Sequence, residues 1–159
     1  MKVVIIKYNA GNIRSVLFAL ERLGVSAIVT DNHEEIVSAD KVIFPGVGEA
    51  SSAMKYLTQR GLDRLIKNLN QPVLGICLGM QLMCSFSEEN NTNCLGIFDQ
   101  KVLKFPETKG FKIPQIGWNN VYELTSPLFE GINENEYVYF VHGYYAEKSA
   151  YTIATTNYI

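Results

Sequence analysis

The stretch Pro72-Val73-Leu74-Gly75-Ile76-Cys77-Leu78-Gly79-Met80-Gln81-Leu82 decides the fold. Residues 72–76 form a short apolar run and predict a strand. Residues 78–86 stay apolar and predict a helix. Between them, Gly75-Ile76-Cys77-Leu78-Gly79 has the form Gly-x-nucleophile-x-Gly. The reason for that pattern is steric. A nucleophile on a sharp strand-to-helix turn is pushed out over the sheet edge, and small flanking residues let the turn close. The following helix start presents free N–H groups and the positive end of a dipole. Both are expected to lower the thiol pKa of Cys77. The N–H of Leu78 is placed to bond an oxyanion.

Upstream, the same alternation recurs three times. Residues 2–7 are rich in β-branched side chains and predict a strand. Asn12 is positioned to cap a helix reaching Leu23, with Ile13, Val16, Leu17, Leu20 and Leu23 at helical spacing, and Gly24 ends it. Ala27–Thr30 predicts a second strand, followed by a short helix with Asp31 and Glu34 at capping-box spacing. Lys41–Phe44 predicts a third, then Pro45-Gly46-Val47-Gly48, then helices over Ala50–Gln59 and 62–69 separated by Gly61. Strands alternating with helices predict an α/β fold whose mostly parallel sheet is flanked by helices on both faces. Continuous apolarity fits strands covered on both sides.

In open sheets of this kind ligands bind beyond the carboxyl ends of the strands. The loops there are 8–11, 45–48 and 77–79. Gly46 and Gly48 allow close backbone approach, and Gly46 or Val47 could supply a second inward N–H beside that of Leu78. Pro45-Gly46-Val47-Gly48 alone also suits an ordinary strand-to-helix turn.

Downstream, residues 87–93 are polar and predict a surface loop. Short strands are expected at 101–105, 119–124, 137–141 and 151–155, read as antiparallel additions to one domain spanning 1–159.

Composition excludes several classes. Fourteen Lys and Arg against sixteen Asp and Glu leave a net charge of −2, which argues against nucleic acid as a main partner. No apolar run approaches the roughly 20 residues that cross a bilayer. The start of the chain lacks a signal-peptide layout, so a cytoplasmic home is the default expectation. Three cysteines and two histidines, His33 and His142, match neither a disulfide framework nor a zinc pattern. Cys84 and Cys94 read as small buried apolar residues. No metal and no cofactor are expected.

Gly75-Ile76-Cys77-Leu78-Gly79-Met80-Gln81 resembles the nucleophile motif of class I glutamine amidotransferases, and Pro45-Gly46-Val47-Gly48 resembles their oxyanion strand. Three further segments resemble the glutaminase subunits of imidazole glycerol phosphate synthases. They are Tyr8-Asn9-Ala10-Gly11-Asn12-Ile13-Arg14-Ser15, Pro114-Gln115-Ile116-Gly117-Trp118-Asn119 and Tyr139-Phe140-Val141-His142-Gly143-Tyr144. The resemblance implies a flavodoxin-like core and hydrolysis of glutamine to glutamate and ammonia through a Cys77 thioester. It implies that the ammonia passes to a (β/α)8 synthase subunit, for histidine biosynthesis.

By the same resemblance, Val47 and Leu78 supply the oxyanion N–H groups after a backbone rearrangement. Gly46, Gly48, Gln81, Glu89, His142 and Gly143 bind glutamine, and Asn9, Asn12, Arg14 and Trp118 face the partner. Each has a plainer reading. Gln81 suits a polar helix position, Glu89 a solvated loop, and Asn9 and Asn12 a turn and a cap. Trp118 suits a core, and His142 a hydrogen-bonded structural histidine.

Gln115 stands where the family commonly has His, and Lys7 where it commonly has Asp. The family's triad His and Glu belong to a His-Pro-Glu motif absent from these 159 residues. The expectation is therefore an incomplete version of a longer protein, with negligible glutaminase activity by itself. A docking module without turnover is the alternative.

Overall fold

A computed structural model describes all 159 residues, Met1–Ile159. The chain divides into two compact units, 1–102 and 103–159.

In the first unit the apolar runs are short strands: β1 (Val3–Ile6), β2 (Ala27–Thr30), β3 (Lys41–Phe44) and β4 (Val73–Gly75). They pair in parallel in the order β2-β1-β3-β4. Side-chain alternation divides the core by face. Val4, Ile6, Val42 and Phe44 pack with Ile36, Leu57, Leu62, Leu78 and Leu82. Those partners come from α2 (His33–Val37), α3 (Ala50–Gln59), α4 (Leu62–Lys67) and α5 (Leu78–Met83). Val3, Ile5 and Ile43 face the other way, toward Ile13, Val16, Leu17 and Leu20 of α1 (Ile13–Arg22). A fully buried side chain such as Phe44 contributes roughly 1.5–3 kcal/mol. Cover on the α1 side is thinner: Leu74, in register with Ile43, is 39% exposed.

Helix ends follow local chemistry. Asn12 caps α1 by accepting from the Ser15 N–H. The cap of α2 is Asn32, which accepts from the Glu35 N–H, and not Asp31. Glu49 caps α3.

Two expectations fail between residues 78 and 93. Helix α5 stops at Met83, where Cys84 turns extended (φ −67°, ψ 176°). Residues 86–87 instead form strand β5 (Phe86–Ser87). It pairs antiparallel with β6 (Thr92–Asn93) and parallel with β7 (Lys101–Lys104). The Ser85 N–H donates to the Gln100 carbonyl at 2.9 Å, and the Cys94 N–H to the Ser85 carbonyl at 3.0 Å. These ladder bonds replace the last helical turn. The polar segment 87–93 is accordingly a turn within a small sheet, with one 3-10 turn at Glu89–Asn91.

The second unit is antiparallel. Strands β8 (Gln115–Asn120) and β9 (Tyr137–His142) pair over their full length, from Gln115↔His142 to Asn120↔Tyr137. The strand expected at 119–124 thus lies earlier in the chain. Residues 151–155 contribute only a bridge, Tyr122↔Thr155, while Tyr144–Ala146 forms the unforeseen strand β10. Phe105 anchors an aromatic cluster with His142, Tyr145 and Tyr158, at ring-centroid distances of 5.1, 4.8 and 5.6 Å. No helix of either unit is long and apolar enough to cross a membrane.

Candidate active site

Strand β1 has β2 on one side and β3 on the other, so the loops leaving β1 and β3 diverge. Such a switch point opens a crevice at the carboxyl ends of the strands. Three loops meet there: the one after β1 carrying Tyr8, the one after β3 carrying Gly46–Gly48, and the turn after β4 carrying Cys77.

Cys77 has φ 52° and ψ −116°, outside the regions that L-residues ordinarily adopt. This is the strained turn that the Gly-x-Cys-x-Gly pattern implies. The neighbouring glycines show why they are needed. A Cβ on Gly79 would overlap the Phe44 carbonyl oxygen, and one on Gly75 would lie 2.8 Å from the Met80 Cα. The helix is thereby seated directly against β3, and Cys77 remains exposed.

The N–H of Leu78, expected to bind an oxyanion, already has a partner within the protein. The Leu78 N–H donates to the Gly46 carbonyl at 3.3 Å, and Val47 is exposed. Turning the Gly46–Val47 peptide would release the Leu78 N–H.

The thiol behaves differently from the dipole argument. Protein packed around the sulfur raises the Cys77 pKa above its usual range, the Leu78 N–H opposes that shift, and Glu89 adds to it. Burial of the sulfur outweighs the hydrogen bond from the helix start. Two expectations follow for alkylation by iodoacetamide, which reports the thiolate. The rate at Cys77 should keep rising with pH beyond 9. Glu89→Gln, which removes a facing negative charge, should raise the rate at pH 8. An unchanged or slower rate would show that Glu89 does not face the sulfur electrostatically.

Glu89 is not a solvated loop residue. Its carboxylate accepts from the Ala50 N–H at 2.8 Å, at the start of α3. Beside it, Glu49 accepts from the Ser51 and Ser52 N–H groups, from the Ser51 hydroxyl, and from Asn90 Nδ2 at 2.6 Å. The Ser51 and Asn90 hydrogen bonds hold the Glu49 pKa down to about 2. A carboxylate with a depressed folded pKa stabilises above its unfolded pKa, near 4.5, and loses that contribution as pH falls toward 2. The melting temperature should therefore drop over this interval, and Glu49→Gln should flatten that drop. An identical acid profile in the variant would contradict the assignment.

Gln81 is buried in α5, one turn after Cys77, with its N–H on the Cys77 carbonyl at 3.0 Å. Asn9, Asn12 and Arg14 are exposed; Asn9 donates to the Ser52 carbonyl at 3.3 Å. Cys84 is buried and Cys94 half-buried, the latter with its thiol pushed up to about 11 by burial, Cys84 and Glu89.

The remaining candidates lie in the second unit. His142 has Nδ1 at 2.8 Å from the Tyr144 carbonyl oxygen and Nε2 at 2.9 Å from the Gln115 side-chain oxygen. Both ring nitrogens are engaged, so the ring acts as a cross-strand link. Gly143 accepts from the Phe105 N–H at 3.2 Å. Trp118 is 69% exposed and therefore not a core residue. Sequence reasoning missed Tyr8 and Asn90, whose partners lie 37 and 41 residues away, and also the Glu49 cap, although its Ser51 and Ser52 partners are local.

A strained cysteine elbow set against a glycine-rich loop, on a 2-1-3-4 parallel sheet, places a candidate nucleophile at the carboxyl ends of an α/β sheet. The chain belongs to the glutamine amidotransferase class-I family, whose model matches residues 4–157. It is 59% identical over 160 residues to the imidazole glycerol phosphate synthase subunit HisH of Bacteroides fragilis, covering 100% of this chain and 82% of that one. It is 46% identical over 159 residues to the HisH subunit of Haemophilus influenzae, covering 99% and 79%. A crystal structure of a glutamine amidotransferase shares the fold at a TM-score of 0.67 and 19% identity, over 89% of this chain and 71% of that chain.

Proposed function

We propose that this protein is the glutaminase subunit of an imidazole glycerol phosphate synthase, serving histidine biosynthesis in the cytoplasm. The observation that carries the chemistry is the Cys77 elbow against the Gly46–Gly48 loop. The Cys77 thiolate attacks the side-chain amide carbon of glutamine, and the carbonyl π electrons move to oxygen. The Val47 and Leu78 N–H groups stabilise that oxyanion. Collapse of the tetrahedral species expels the amide nitrogen, which leaves as ammonia after taking up a proton, and a glutamyl thioester remains. Water then releases glutamate and restores the thiol. Gly46, Gly48, Gln81 and Glu89 shape the pocket. No cofactor takes part. The match of one family model to residues 4–157 supports reading the two units as one glutaminase domain.

The partner is the (β/α)8 synthase subunit that consumes the ammonia. Trp118, with Asn9, Asn12 and Arg14, faces it. Trp118 has the support of its surroundings. Ile116, Trp118, Tyr137, Tyr139 and Val141 project from one face of the β8–β9 pair, each more exposed than not. Contiguous exposed apolar side chains of this kind mark a protein contact.

A docking module without turnover is favoured by one observation, the engagement of the Leu78 N–H by the Gly46 carbonyl. Glutamate release measured in the presence of the synthase subunit separates the two. Release that disappears in Cys77→Ala supports the enzyme. Complex formation without glutamate release supports the docking module.

A further inference from the structure

The oxyanion segment is held at both ends. On the side of β3, the Tyr8 hydroxyl donates to the Pro45 carbonyl at 2.6 Å. The Tyr8 ring is buried and tilted against Phe44, with centroids 5.3 Å apart. Its hydroxyl oxygen lies so close beneath Gly46 that a Cβ there would come within 2.5 Å of it. On the side of α3, Glu49 is fixed by the two serine N–H groups and by Asn90, and Ala50 by Glu89. Asn90 itself holds a left-handed backbone (φ 53°, ψ 32°), a conformation asparagine tolerates well.

The peptides between these anchors are loosely held. The 3.3 Å Leu78–Gly46 bond is long. Gly48 has φ 117°, and the nearest atom a Cβ there would meet is 4.0 Å away. Turning the Gly46–Val47 peptide breaks one weak hydrogen bond. Turning the peptide before it would orphan the buried Pro45 carbonyl, and moving Glu49 would uncap α3. The motion is confined by what surrounds it.

We propose that Tyr8 and Asn90 are positioning residues that restrict the rearrangement building the oxyanion hole to the Gly46–Val47 peptide. This rests on the reading of Val47 and Leu78 as oxyanion donors. Tyr8 and Asn90 act through the backbone carrying the donors.

The test compares two electrophiles on the full chain. A chloroketone analogue of glutamine places its carbonyl oxygen in the hole, whereas iodoacetamide reports thiolate alone. Tyr8→Phe removes one hydroxyl. Asn90→Gly removes the amide and keeps the left-handed backbone accessible. In each variant the maximal alkylation rate by the chloroketone should fall about tenfold, less than the 10²–10³ for removing a donor outright. Half-saturation and the iodoacetamide rate should stay within about twofold, since binding and ionisation are untouched. Equal slowing with both reagents, or no slowing with either, overturns the proposal. If one variant does not fold, the other anchor decides. The parent chain is the control for the underlying reading. If it reacts no faster with the glutamine chloroketone than with a chloroketone lacking the amino acid part, the oxyanion reading itself fails, and the proposal with it.

Discussion

Gly79→Ala should leave little native protein. The added methyl carbon would overlap the Phe44 carbonyl oxygen and sit 2.8 Å from the Phe44 carbonyl carbon and 3.2 Å from the Pro45 carbonyl carbon. These are backbone atoms of β3 and its exit loop, so no side chain can swing aside. Either α5 lifts off the sheet or β3 shifts. Lifting α5 would withdraw Leu78 and Leu82, both buried in the main core. Overpacking in a rigid site typically costs about 1–3 kcal/mol, and losing the contacts of a buried leucine about 2–5 kcal/mol. The sum is a large part of the 5–15 kcal/mol that holds a typical domain folded. Chemical denaturation should show a midpoint shifted by at least about 3 kcal/mol of stability, or insoluble protein. A variant of parental stability would mean that the elbow is not packed as described.

Trp118→Ala should have the opposite profile, harmless to the fold and damaging to assembly. An indole 69% exposed on an antiparallel face contributes little to the unit's own core. Its one ring neighbour is Tyr139, edge-on at 5.5 Å. Large aromatic residues at the centre of an interface are typical hot spots, and truncating one weakens binding by about 2 kcal/mol or more, roughly 30-fold. Binding to the synthase subunit, measured by calorimetry, should weaken by at least that factor, with the melting temperature of the free chain unchanged. Tyr139→Ala, on the same face, should weaken binding in the same sense. A loss of thermal stability without a loss of affinity would return Trp118 to a structural role.

Much of the first unit was readable because its signals are local. Asn12 and Gly24 bracket a helix whose apolar spacing is written in between, and the bounds of Ala27–Thr30, Lys41–Phe44 and Ala50–Gln59 agree with the structure. The elbow was readable because two glycines and a cysteine must stand at fixed spacing to make it. Residues 78–86 were not. They are mostly apolar, with only Gln81 and Ser85 polar, so periodicity marks no end to the helix, which gives way at Cys84 to pairing with Gln100 and Cys94. The same holds for site electrostatics. A helix start predicts a low thiol pKa locally, but burial and Glu89 reverse the direction. Trp118 was ambiguous for a related reason. Alternation along β8 says that it shares a face with Ile116, yet nothing local says which face is covered.

Tyr8 and Asn90 show the limit most clearly. Each looks like an ordinary loop residue in one dimension. In the fold, each holds an end of the segment opposite Cys77.

Peptide mapping of the chain after reaction with a glutamine chloroketone, with and without competing glutamine, tests the Cys77 assignment at the sulfur itself. A single adduct on Cys77 is expected. Glutamine should suppress it and asparagine should not, and Cys84 and Cys94 should remain unmodified. Labelling spread over the three cysteines, or labelling of Cys77 that glutamine does not diminish, would contradict the assignment of this elbow as a glutaminase nucleophile.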